Sequence, residues 1–151
     1  AKSVGLNKKA VFKIGGYKDK RFHSTIKITA TVESFHNGEF VYEGGPLQGM
    51  KASLGPSVIL MKKNLKILVV TNSVYENKDE HYKCCNLNYK ENKIVVFKNL
   101  MNFRKLLNKE TSFIVVSGGG ATPLELDKVK WSNKLKDYWP KKNYKKIPYM
   151  N

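Results

Sequence analysis

The chain has 151 residues, a length that fits one domain with a real core, and its 41% hydrophobic and 11% aromatic content excludes a disordered polyelectrolyte. No run approaches the roughly 18 apolar residues of a membrane span, and the N-terminal AKSVGLNKK lacks the apolar centre of a secretion signal, so a soluble, cytoplasmic protein with no membrane partner is expected. The formal charge of +16 comes from 26 Lys and two Arg, Arg21 and Arg104, beside 14 Asn.

That composition decides how the charge is read. Nucleic-acid readers lean on Arg for bidentate contacts to bases and phosphates, whereas the lysines here are scattered along the whole sequence. A solvated Lys-rich surface is expected, and nucleic acid is disfavoured as a partner. The first residue is Ala, as expected of a processed or excised piece of a longer protein.

In chain order, AVFKI (10–14) reads as a short strand ended by Gly15-Gly16. TIKITATVESF (25–35) alternates, placing Ile26, Ile28, Ala30 and Val32 on one face and Lys27, Thr29, Thr31 and Glu33 on the other. His36-Asn37-Gly38 predicts a hairpin turn, with GEFVYE (38–43) as the returning strand. A glycine-punctuated loop, GGPLQGMKASLGPS (44–57), follows, and VILMKK and KILVVTN around Lys63-Asn64 predict a second hairpin. KILVV is nearly all apolar, as expected for a central strand covered on both faces.

The second half predicts alternation of helix and strand. KDEHYKCC (78–85) reads as a short helix, KIVVF (93–97) as a strand, and LMNFRKLLNK as a helix of about ten residues with Leu100, Phe103 and Leu107 on one face. SFIVV (112–116) reads as another strand leading into SGGGATPLELDKV. The fold class expected is therefore mixed α/β: a β-rich N-terminal half with hairpins, then alternating strands and helices, in one compact domain. That domain is expected over residues 1–131, with 132–151 an irregular Lys- and aromatic-rich arm.

The search for chemistry is mostly negative. Residues 118–123 read GGGATP, which satisfies neither the Lys-Ser/Thr of a Walker loop nor the third glycine of a dinucleotide fingerprint. Thr122-Pro123-Leu124-Glu125 instead forms a helix-capping sequence whose side chains would use the amides a phosphate needs. Cys84 and Cys85 are adjacent, so a strained bridge is disfavoured against two reduced thiols. His81 with Cys84 and Cys85 gives a partial metal face on a helix, without a second cluster to complete it. No nucleophile elbow and no paired metal histidines occur. Lys98 and Arg104 lie at the start of the LMNFRKLLNK helix, where an anion site competes with a plain solvated rim. The segment 44–56 holds six Gly or Pro in 13 positions, the mark of a tight bend or of backbone facing a ligand.

The order of these stretches resembles the C-terminal domain of the MlrC family, the microcystin-degradation (microcystinase C) proteins. The stretches that carry it are VGLNKKAVFKIGGYKD, TATVESFHNGEFVYEGG, LQGMKASLGPSVILMKKNLKILVVTN, KIVVFKNLMNFRKLL, GGGATPLELDKVKW and YWP, over roughly residues 4 to 140. The resemblance implies a two-domain, zinc-dependent hydrolase of peptide amide bonds. Its metal ligands and acid–base groups lie in a larger N-terminal domain that nothing in this chain matches. It thus implies no cofactor in this chain, zinc only in the missing domain, and an accessory domain that completes the substrate cleft or an oligomer interface. Within the family pattern K-s-x-x-H-F-R, Lys98, Phe103 and Arg104 carry over while Asn102 stands for the usual His, and Gly49, Leu54, Gly55 and Pro56 match a glycine-rich pattern. Gly44, Gly45, Gly49, Gly55, Lys98, Asn102 and Arg104 are accordingly the candidates for a surface facing the missing domain or its substrate. The competing expectation is a free-standing basic module for a polyanion, carried by the lysines and the Trp/Tyr/Lys tail.

Overall fold

The alternation in TIKITATVESF builds the centre of the molecule. In a computed structural model of the protein, which describes residues 1–17, 20, 23–99 and 101–116, this stretch is the long strand β2 (Ile26–His36). Strand β1 (Lys9–Ile14) pairs antiparallel with its first half. Strand β5 (Ser57–Lys62) pairs antiparallel with its second half, and β6 (Leu65–Val69) closes the hairpin with β5. The sheet order is β1-β2-β5-β6. A bulge between Val32 and Ser34 shifts the β2–β5 register, so Val32 and Phe35 lie on one face and Ser34 joins the other.

Each face of the sheet carries its own core. On the first, Ile28, Ala30, Val32 and Leu60 are buried, with Phe12, Ile14, Phe35, Val58, Ile67 and Val69 around them and Val4 from the N-terminal turn packed on top. On the second, Ile59 is buried with Leu54 and Cys85, and Leu68, Phe40, Val74 and Leu87 pack against them. Ile26 continues the apolar row of β2 but is exposed at the strand's open end.

The hairpin expected at Asn37-Gly38 does not form. Strand β3 (Glu39–Val41) pairs with β4 (Lys51–Ser53) in a separate two-stranded sheet. The reason is that β5 already occupies the edge of β2 beside Phe35 and His36. Gly38, at φ +72, turns the chain onto the Leu54–Gly55 corner, where the Leu54 amide donates to the Gly38 carbonyl at 2.9 Å. A Cβ there would lie 2.7 Å from the Gly55 carbonyl oxygen, so only glycine fits this crossing. The segment 44–57 is therefore not one loop: residues 44–50 connect β3 to β4 with a 3₁₀ turn at Gly45–Leu47, Lys51–Ser53 is β4 itself, and residues 54–56 lead into β5.

The Lys63-Asn64 hairpin forms as expected, with Lys63 at φ +53. Its second strand corrects the expectation of a central position: β6 ends the four-stranded sheet among the described residues. Its all-apolar run still has a cause, because Ile67 and Val69 pack into the first core while Leu68 packs into the second.

Helix content is lower than expected. The helix predicted at 78–85 is the four-residue α1 (Glu80–Lys83). The ten-residue helix is replaced by a 3₁₀ turn at Phe103–Leu106, because Asn99 Oδ1 accepts from the amides of Met101 and Asn102 and Leu107 is already extended. KIVVF and SFIVV are not strands: Ile94 and Val96 are 84% and 88% exposed, and Ile114 is 88% exposed. KIVVF is held instead by its end, where the Val96 carbonyl accepts from Tyr82 Oη and Phe97 lies against His81. The described residues form one compact unit ending at Val116. The GGGATP loop, the capping sequence after it and the 131/132 boundary lie outside the described residues.

Candidate functional site

Three segments distant in sequence meet at Glu76 and Asn77. Asn77 is buried, and its Nδ2 donates to the Gly44 carbonyl at 2.9 Å while its Oδ1 accepts from Lys105 Nζ. One residue earlier, the Glu76 carbonyl accepts from two amides, Asn99 Nδ2 at 2.8 Å and Asn102 Nδ2 at 3.0 Å. At the start of α1 the buried Glu80 carboxylate accepts from the backbone amides of Glu43 and Lys78, each at 2.9 Å. A buried carboxylate with two amide donors is satisfied without a cation. The clasp therefore ties the glycine loop (43–45), the α1 approach (76–80) and the 99–105 turn into one corner.

This geometry sorts the candidate residues. Gly44, at φ +116, and Gly45, at φ +67, both lie at the clasp; a Cβ on Gly45 would stand 3.1 Å from Asn77 Oδ1. Asn102 lies there too, buried, with its side chain spent on the Glu76 carbonyl. The Asn102 side chain is thus a neutral structural amide with no titratable role. Lys98 is exposed and close enough to Glu76 to favour its charged form, although burial outweighs it and the Glu76 carboxyl stays raised. Arg104 is exposed on the 3₁₀ turn.

The other two glycines sit elsewhere. Gly49 closes the far end of the loop, its amide donating to the Tyr42 carbonyl at 3.0 Å, with open space where a Cβ would go. Gly55, at φ +66, belongs to a second junction, where a Cβ would lie 2.8 Å from Asn72 Nδ2. The seven candidates are thus not one site, and Gly44, Gly45 and Asn102 are the ones brought together.

The sequence does not single out Asn77, Asn99, Lys105 or Glu80. In a chain with 14 Asn and 26 Lys, nothing local marks which of them is buried. His81 is likewise buried, with its ring centroid 4.0 Å from Tyr82 and 5.6 Å from Phe97. Burial pushes its pKa down, against the nearby Glu80 and Asp79. Tyr82 is pushed up to about 12 by burial, with Glu76 adding to the shift.

The thiols have the opposite of nucleophile electrostatics. Cys84 and Cys85 are free, with Sγ atoms 3.9 Å apart. Burial raises both, Cys85 to about 12 with Cys84 adding to the effect. Among the described residues, no group of three or more His, Cys, Asp or Glu is placed to hold a metal ion, and no helix is long and apolar enough to cross a membrane. The corner can fix backbone shape and present Lys98 and Arg104 at a rim; it sets up no acid–base pair.

The described residues thus form an antiparallel sheet with a glycine-rich satellite hairpin pinned by buried amides. The family model described as "MlrC C-terminus" matches residues 1–133, and the chain belongs to that family. No curated protein and no solved structure matches it.

Proposed function

We propose that the chain is the C-terminal accessory domain of an MlrC-like zinc-dependent peptide hydrolase, and that the clasp corner at Gly44, Gly45 and Asn102 faces the catalytic domain's cleft or an oligomer interface. The observation that carries this reading is the family match over residues 1–133, taken with a corner whose polar groups are spent on shape. Among the described residues no group of three or more His, Cys, Asp or Glu is placed to hold a metal ion, and this reading puts the metal and the acid–base chemistry in a separate catalytic domain. What this chain would supply is a wall: left-handed backbone at Gly44 and Gly45, held by Asn77, with the Lys98 and Arg104 cations at its rim.

Sedimentation of the chain mixed with the separately expressed metal-binding domain of a family hydrolase tests the reading. A one-to-one complex at micromolar concentration, weakened by Lys98→Glu with Arg104→Glu, is expected. Two independently sedimenting species would overturn it.

A further inference from the structure

The second face of the four-stranded sheet is covered over only part of its area. The Leu54 corner, Phe40 of β3, Cys84, Cys85 and Leu87 pack over the end marked by Ile59 and Leu68. The remainder, where β1 meets β2, is open. Lys9, Val11 and Lys13 alternate onto it from β1, opposite Thr31, Thr29 and Lys27 of β2. The row through Lys9 and Thr31 continues to Met61 of β5 and Lys66 of β6. Val11, 65% exposed, stands among these groups with Thr29 at its side.

Two features of this patch are unfavourable in the free molecule. Lys13 and Lys27 are direct cross-strand partners, so at strand spacing their Cα atoms lie roughly 5 Å apart, and like charges at such positions repel. The patch also holds four ammonium groups and one carboxylate, Glu33, which pairs with Lys66 at 2.8 Å. Among the described residues, no acid pairs with Lys9, Lys13 or Lys27.

We propose that this open half-face, centred on Val11, Lys13 and Lys27, docks an acidic protein surface. Its layout sets the exposed Val11 among Lys9, Lys13 and Lys27, an apolar contact surrounded by charge as at a protein interface. A phosphate-reading surface would be expected to use Arg or exposed stacking rings, and neither occurs among these residues. The chain does not supply the complement itself: residues 117–151 carry eight Lys against three acids, Glu125, Asp127 and Asp137. A second copy of the same face would set Lys against Lys. The surface is distinct from the clasp corner, and the inference does not depend on the hydrolase reading.

The test uses the full chain and three polymers at low salt: poly-glutamate, a glutamate–tyrosine copolymer and a duplex DNA of random sequence. The copolymer is expected to bind most tightly. The K13Q/K27Q pair is expected to weaken it about tenfold, against less than about threefold for the equal charge change K90Q/K93Q. Val11→Ser should remove the preference for copolymer over poly-glutamate. Folding of each variant is checked by its thermal transition. Equal losses from the two lysine pairs, or tighter binding of duplex DNA than of either acidic polymer, would overturn the proposal.

Discussion

Asn77 Nδ2 donates to the carbonyl of Gly44 at 2.9 Å, joining two residues 33 apart in the chain. Because Asn77 is almost fully buried and also accepts from Lys105, truncation would leave the Gly44 carbonyl without its donor and release the exposed Lys105 to water. Asn77→Ala should lower stability by about 1–3 kcal/mol, the usual cost of unmaking a buried hydrogen bond. Urea unfolding measures it; a change no larger than that of the exposed Asn92→Ala would show that the clasp contributes nothing.

The glycines should rank by the space around them. All of Gly38, Gly45 and Gly49 adopt positive φ, so alanine at any of them costs about 1–2 kcal/mol from backbone strain alone. Gly49→Ala should stay near that value, since nothing lies within 4 Å of its Cβ position. Gly45→Ala should cost more, because Asn77 Oδ1 at 3.1 Å must give way, and Gly38→Ala most, with backbone oxygen at 2.7 Å. Thermal midpoints of the three variants check the order.

His81 makes stability depend on pH in a definite direction. Its folded pKa lies below the ordinary value of 6.5 because burial opposes the charged ring. Between the two values the unfolded chain binds the extra proton, so stability is full above 6.5 and is lost as pH falls toward the folded pKa. Glu76 works in reverse: its folded pKa is raised by burial, so its cost is full at neutral pH and is relieved as the carboxyl protonates. As pH is lowered from about 8 to about 5, urea midpoints of the native chain should drop relative to those of His81→Gln. An unchanged slope in the variant would count against a buried neutral ring.

The paired cysteines should resist alkylation in the native state. Both thiols are raised by burial, and Cys85 is fully buried with a pKa of about 12. Iodoacetamide at mildly alkaline pH should leave Cys85 unmodified until urea is added, when both residues label. Mass spectrometry reads this directly, and rapid native labelling of Cys85 would contradict the packing.

The strands with an intact period of two were legible. Ile28, Ala30 and Val32 alternate into a core, and the two-sided apolar run of β6 correctly announces cover on both faces, although not a place in the middle of the sheet. What could not be read is pairing. Asn37-Gly38 has hairpin chemistry, but the edge it would use is filled by β5, more than twenty residues further on. KIVVF and SFIVV have strand composition without a ladder to join among the described residues, a reminder that β propensity reflects neighbours more than backbone. The site was half visible: Gly44 and Gly45 stand out by composition, whereas Asn77 is one asparagine among 14 until the fold shows it buried.

Zinc content tests the central claim most directly. The purified full chain, exchanged against buffer containing trace zinc and assayed for metal and peptide hydrolysis together, is expected to hold well under one zinc per chain and to cleave nothing. One tightly held zinc per chain, with hydrolysis that a chelator abolishes, would contradict the reading of this domain as the partner of a separate catalytic half.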